Sequence, residues 1–150
     1  SGARGMVYGQ ALDFDSVGKK LDLHTLEKMH RHKTGVLIEA SVIIGALTSK
    51  SQLLDSELFL FKKYAQAIGL AFQVQDDILD IISDTATLGK TQGADEALNK
   101  PTYPALLGLE GAKSKLFGLH DEALACLDEL NNFDTSKLAE ICHFIIERVR

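Results

Sequence analysis

Cysteine occurs only twice in the 150 residues, as Cys126 and Cys142, which supplies neither a disulfide framework nor a cysteine metal cluster and fits a reducing cytoplasm. No apolar run approaches the ~18–20 residues needed to cross a bilayer, so no membrane span is expected. The opening "SGARGMVYGQ" has no apolar core and does not read as a signal peptide. Positive charge is also in short supply. Sixteen Lys and Arg against 21 Asp and Glu leave a formal charge of −5, which argues against broad attraction to nucleic acid or an anionic membrane surface and makes any anion binding a local matter. Nothing alternates with period two for long enough to form a strand, and there is no internal repeat.

What is present is hydrophobic and helical. At 45% hydrophobic and without a change of composition along the chain, residues 1–150 read as one globular unit with one core. Asp22 is placed to cap a helix running to about Leu47, and Asp55 or Ser56 to cap a second running to about Ser83. Pro104 suits the first turn of a third, interrupted at Gly108 and Gly111 and reaching about Leu130, and Asp134 or Thr135 opens a last helix. The segments "DFDSVGKK", "TSKSQLLD" and "NNFD" read as connections. "DTATLGKTQGADEALNKPTY", at about 20 residues, is longer than a helical bundle needs and is expected to be functional or mobile. "GARGMVYGQAL" reads as the end of a helix whose beginning lies outside the chain.

The second helix carries an unusual stretch, "FQVQDDILD", in which three carboxylates interrupt a segment otherwise suited to burial. At about 100° per residue, Asp76, Asp77 and Asp80 fall roughly −60°, 40° and −20° from Gln73, so all four share one narrow face, with Gln66 and Asp84 on the same stripe. Like charges one turn apart repel, and these acids lie too far along the helix to be favoured by its N-terminal dipole. They read either as acids turned to water or as ligands for a hard divalent cation such as Mg²⁺, which accepts one or two carboxylates together with a substrate's phosphate oxygens.

Cations are available to such a site. In "MHRHKTGVLIEASVIIGAL", Lys33 falls along the line of Met29, Val36, Leu37, Ala40 and Ile44, where an ammonium must snorkel outward or find an anion. His30 and His32 point to nearly opposite sides, cannot chelate one metal, and read as ordinary polar positions. The long loop adds Lys90 and Lys100, with Gly89 and Gly93 leaving its backbone free to approach a ligand. An acid cluster with lysines around it suits a diphosphate, the cation bridging carboxylate to phosphate and the lysines neutralising the rest.

In order, "GMVYGQALD", "HRHKTGVLI", "GLAFQVQDDILD", "TLGKTQGAD" and "TYPALLGLE" resemble the trans-isoprenyl diphosphate synthases, most of all the bacterial farnesyl or geranyl diphosphate synthases. The resemblance implies an all-α isoprenoid synthase bundle working as a cytoplasmic homodimer, of which these residues are the C-terminal part of a single domain. It implies a prenyltransferase that condenses isopentenyl diphosphate with an allylic diphosphate, dimethylallyl or geranyl, using Mg²⁺ or in its place Mn²⁺. Asp76, Asp77 and Asp80 would then hold the metal. Lys33, Thr34, Gln73, Lys90 and Lys100 would contact the allylic diphosphate, Lys33 and Lys90 as catalytic cations, and Phe72 would shape the cavity near the reacting carbon.

The family's first aspartate-rich motif, its paired arginines and its glycine-lysine-x-x-arginine segment belong upstream of Ser1. The 150 residues alone are therefore expected to be inactive. A class I terpene cyclase is disfavoured by the lack of an N-D-x-x-S-x-x-x-E motif. A non-catalytic interaction subunit of the same fold is the remaining alternative.

Overall fold

The computed structural model describes residues 2–49, 52–82 and 101–148, and all regular structure among them is helical. The elements are α1 (Met6–Ser16), α2 (Leu23–His30), a five-residue π turn (Arg31–Gly35), α3 (Val36–Ser49), α4 (Asp55–Ile82), α5 (Tyr103–Asp128) and α6 (Ser136–Glu147). Asp22 caps α2 as expected, its side chain accepting from the Thr25 N–H at 2.8 Å. The single helix read from Asp22 onward is continuous through α2 and α3, with the π turn inserted. There the Val36 N–H donates to the Arg31 carbonyl, one residue further back than in an α-helix.

Four expectations are corrected. Residues 3–5 form a turn and α1 begins at Met6, within the chain. That helix continues through Asp13 and Ser16 into the segment read as a connection, because Asp13 faces a lysine on the π turn and the Ser16 hydroxyl donates back to the Asp13 carbonyl. At the start of α4, Asp55 is the first helical residue and does not cap it; Glu57 reaches back to accept from the Leu54 N–H at 2.9 Å. In α5 the break falls at Gly108 alone, whose φ of 72° is a left-handed value that glycine adopts without strain.

α4 is the centre of the molecule. Its middle turns, from Tyr64 to Ala71, are buried nearly all round, with α3 along one side and α5 making the broadest contact on another. Tyr64 and Tyr103 are fully buried, and the Tyr64 hydroxyl donates to the Leu138 carbonyl, tying α6 to α4. Among the described residues no helix is long and apolar enough to cross a membrane. α1 crosses the π turn at Gly9, where an added Cβ would overlap the backbone of His32 and Lys33.

Gly9→Ala is expected to cost at least about 2 kcal/mol by overpacking a contact made of backbone, lowering the thermal midpoint by several degrees. Gly118→Ala, where a Cβ meets open space inside α5, should leave it unchanged or raise it slightly. Equal midpoints for the two would refute the close crossing. Burial, reinforced by Asp121, pushes the Cys142 thiol from its ordinary 9.0 up to about 11. The unfolded chain loses that proton first, so this part of the stability is fully present below about pH 9 and falls away as the pH rises towards 11. A melting series across that window should slope less steeply for Cys142→Ser.

Candidate functional site at the acidic face of α4

Gln73 is the point where α2, the π turn and α4 meet. Its Oε1 accepts from the Thr34 hydroxyl at 2.8 Å and lies 3.2 Å from His30 Nδ1. The extra residue of the π turn makes this possible, because it shifts the register between His30 and Val36 and turns Thr34 towards α4. The same shift takes Lys33 away from the apolar line on which an unbroken α-helix would put it. Lys33 Nζ instead donates to Asp13 Oδ2 at 2.7 Å, part-buried between α1 and the π turn. The partner that Lys33 lacked in the sequence is thus supplied from twenty residues upstream.

The three aspartates share a face but not an environment. Asp77 is buried and its Oδ2 accepts from the Tyr103 backbone N–H at 2.9 Å. A helix leaves its first four N–H groups without partners inside it. At α5, Asp77 takes Tyr103, Pro104 has no N–H, the Thr102 hydroxyl takes Ala105 at 3.3 Å, and the Thr102 carbonyl takes Leu106. Asp77 therefore starts α5, where a negative charge also meets the positive end of the helix dipole. Burial, aided by Glu27 and Asp77, pushes the Tyr103 hydroxyl far above the ordinary tyrosine range, so it stays protonated.

Asp80 is 2% exposed and, with Asp77, lines a cleft of about 790 Å³ whose other walls include Lys19, Lys20, Thr102 and Pro104. Asp76 is half exposed and faces Arg148, whose Nη2 lies 3.6 Å from its Oδ1. The Arg148 guanidinium also stacks 4.4 Å from the centre of the Phe72 ring. Gln75, on the neighbouring side of α4, donates from Nε2 to the carbonyls of Ile146 and Arg148 at 3.3 and 2.9 Å, which holds the end of α6 against the acidic run.

The structure thus brings Thr34 and Gln73 together, sets Phe72 and Asp76 under Arg148, and places Asp77 and Asp80 on one cleft. Lys33 is engaged elsewhere. Gln66, expected on the acidic stripe, donates instead to Glu39 on α3 at 2.9 Å. Lys90, Lys100 and Asp84 lie outside the described residues. Sequence reasoning missed Arg148, for which local spacing gives no signal, and it misread His30. That imidazole is buried, contacts Gln73 and stacks 5.7 Å from the Tyr103 ring. Its position three residues before Lys33, on the apolar side of α2 beside Leu26 and Met29, was the available clue.

Among the described residues no three His, Cys, Asp or Glu side chains converge to hold a metal by themselves. The donor set nonetheless fits Mg²⁺ in one respect. Asp76 and Asp80 are all-oxygen donors one turn apart on one face, the one or two carboxylates that this ion takes when a substrate provides phosphate oxygens.

This chain belongs to the polyprenyl synthetase family, whose model matches residues 2–138. It is 54% identical over 150 residues to the farnesyl diphosphate synthase of Escherichia coli, covering 99% of this chain and 50% of that protein. It is 48% identical to the Haemophilus influenzae enzyme of the same name, again over half of its length. Among solved structures, a Helicobacter pylori geranyltransferase complexed with magnesium and isoprenyl diphosphate superposes with a TM-score of 0.77 at 35% identity, over 97% of this chain and 48% of that one. The chain therefore spans about half the length of the relatives it matches.

Asp77→Ala should leave the buried Tyr103 N–H without its acceptor and lower stability by about 1–3 kcal/mol. Asp77→Asn keeps an acceptor oxygen and should lose distinctly less. Chemical denaturation of both checks this, and an equal loss would remove Asp77 from the role of starting α5.

Proposed function

We propose that these residues form one wall of a prenyl-transfer site, in a protein that joins an allylic diphosphate to isopentenyl diphosphate in farnesyl or geranyl diphosphate synthesis. The observation that carries this reading is the alignment of Gln73, Asp76 and Asp80 on one face of α4, with Gln73 anchored to Thr34, in a member of this family. Residues 1–150 are taken as the C-terminal part of a single synthase domain, in a cytoplasmic protein that acts as a homodimer.

The reaction breaks the bond between the allylic carbon and the diphosphate oxygen, joins that carbon to the isopentenyl double bond, and releases a proton. Negative charge builds on the departing diphosphate, so groups preplaced to receive it lower the barrier most. Asp76 and Asp80 would hold Mg²⁺, with Mn²⁺ as a substitute, and Asp77 would contribute chiefly by fixing α5 against them. The metal, when bound, would neutralise the charge of the diphosphate. Lys33, Lys90 and Lys100 would supply further positive charge, with Lys33 exchanging Asp13 for the substrate. Thr34 and Gln73 would orient the diphosphate end, while Phe72 forms the apolar wall beside the reacting carbon.

A purified preparation of residues 1–150 alone is expected not to condense the two diphosphates with Mg²⁺ present, whereas a preparation that also supplies the other half of the synthase should do so. Turnover by the 150 residues alone would overturn the one-wall reading. In the active preparation, Asp76→Ala should reduce kcat by about 100-fold or more, as for loss of a group acting on transition-state charge. Unchanged steady-state kinetics would exclude Asp76 from the metal site.

A further inference from the structure

We propose that His30 is a positioning residue: by donating from Nδ1–H it fixes which end of the Gln73 side-chain amide faces the substrate. Two neighbours meet Gln73 Oε1, and they differ in what they can enforce. The Thr34 hydroxyl, at 2.8 Å, is both a donor and an acceptor. It would bond equally well to the amide oxygen or, after a half-turn of the amide, to the amide nitrogen. Thr34 alone therefore does not choose.

The neutral His30 ring has one donor nitrogen and one acceptor nitrogen. At 3.2 Å from Gln73, Nδ1 bonds to the oxygen only when it carries the proton, and to the nitrogen only when it does not. The ring's freedom to reorient is small. It is 7% exposed, stacks on the buried Tyr103 ring with an interplanar angle of 19°, and sits on the last turn of α2 just before the π turn. With Nδ1–H donating, both approaches converge on Oε1, and the covalent geometry of the amide directs Nε2–H₂ away from them. In the opposite tautomer the amide reverses and presents its carbonyl instead.

The consequence depends on the proposed function and extends it. Gln73 lies on the face that carries Asp76 and Asp80, where the diphosphate is placed. An N–H facing that anion attracts it and a carbonyl oxygen repels it, so the His30 proton sets the sign of the Gln73 dipole at the substrate. Protonation of His30 leaves Nδ1–H in place. The orientation is thus independent of whether the ring is charged, and depends on the neutral tautomer alone.

Two measurements test this. In the 150-residue protein, ¹⁵N resonances of the imidazole report which nitrogen of His30 is protonated, and the ¹H–¹⁵N signals of the Gln73 side chain report its partners. Nδ1–H is expected, as is a displaced Gln73 signal in His30→Phe, which keeps the stack on Tyr103 but has no donor. A proton on Nε2 with Nδ1 bare, or a Gln73 signal unmoved by His30→Phe, overturns the proposal whether or not the protein condenses diphosphates.

In the active preparation, His30→Phe should lower kcat/KM for the allylic diphosphate about fivefold, the value of one neutral hydrogen bond. In a Gln73→Ala background, His30→Phe should add less than about twofold, because the two residues act as one unit. Multiplicative losses would show that His30 acts independently of Gln73 and overturn the proposal. If the coupling is seen in the resonances and no condensation occurs in any preparation, the reading as a prenyl-transfer site fails while the orientation of Gln73 by His30 stands.

Discussion

The five-residue π turn at Arg31–Gly35 is the constraint on which the rest of the site depends. A regular α-helix from Asp22 to Ser49 would keep Lys33 in line with Met29, Val36 and Leu37, an ammonium in an apolar row. One inserted residue rotates the helix on either side of it, so that Lys33 meets Asp13 and Thr34 meets Gln73. A π turn gives poorer internal hydrogen bonding than an α turn and is kept where something outside the helix compensates. Here the compensation comes from the ion pair, the Thr34 bond and the crossing of α1. That crossing is close enough to require glycine at position 9, and it brings Asp13, one turn further on, to the lysine.

α4 serves two purposes along one length, and the acidic run shows how they are reconciled. The helix must fill the core, which it does with Ile68, Leu70, Val74 and Ile78, and it must also present polar groups beside a cleft. Asp77 belongs to both tasks. Its carboxylate is buried, yet it satisfies an N–H that α5 could not satisfy itself, so the polar face of one helix is also the foundation of the next. Glu57 repeats the arrangement at the other end of α4, capping its own helix and accepting from Asn132 in the turn before α6.

Much of the fold was legible in the sequence because its signals are local. Asp22, Pro104 and Asp134 act within three residues of themselves, and the helices they open begin where those residues predict. The shared face of Gln73, Asp76, Asp77 and Asp80 followed from the helical period alone. The errors fall where a partner comes from a distant segment. "DFDSVGKK" is polar enough to be a loop and is partly helix because Asp13 finds Lys33. His30 was read as an ordinary polar residue on the assumption of an uninterrupted α-helix, in which no spacing links it to a glutamine 43 residues later. Arg148 sits against Asp76 through the packing of α6, which no window of sequence contains.

The charges of the site are compensated within the chain. Lys33 has Asp13 and Asp76 has Arg148. A part-buried ion without a counterion carries a desolvation cost of several kcal/mol, so leaving these ions bare would weaken the fold. Pairing them internally removes that cost, and on the proposed function it also sets the terms of binding. Diphosphate must compete with one carboxylate for Lys33, and a metal with one guanidinium for Asp76. Either ligand alone exchanges one ion pair for another with little net gain. The two together bridge to each other and satisfy both sides at once, which favours their joint uptake over that of either ion singly.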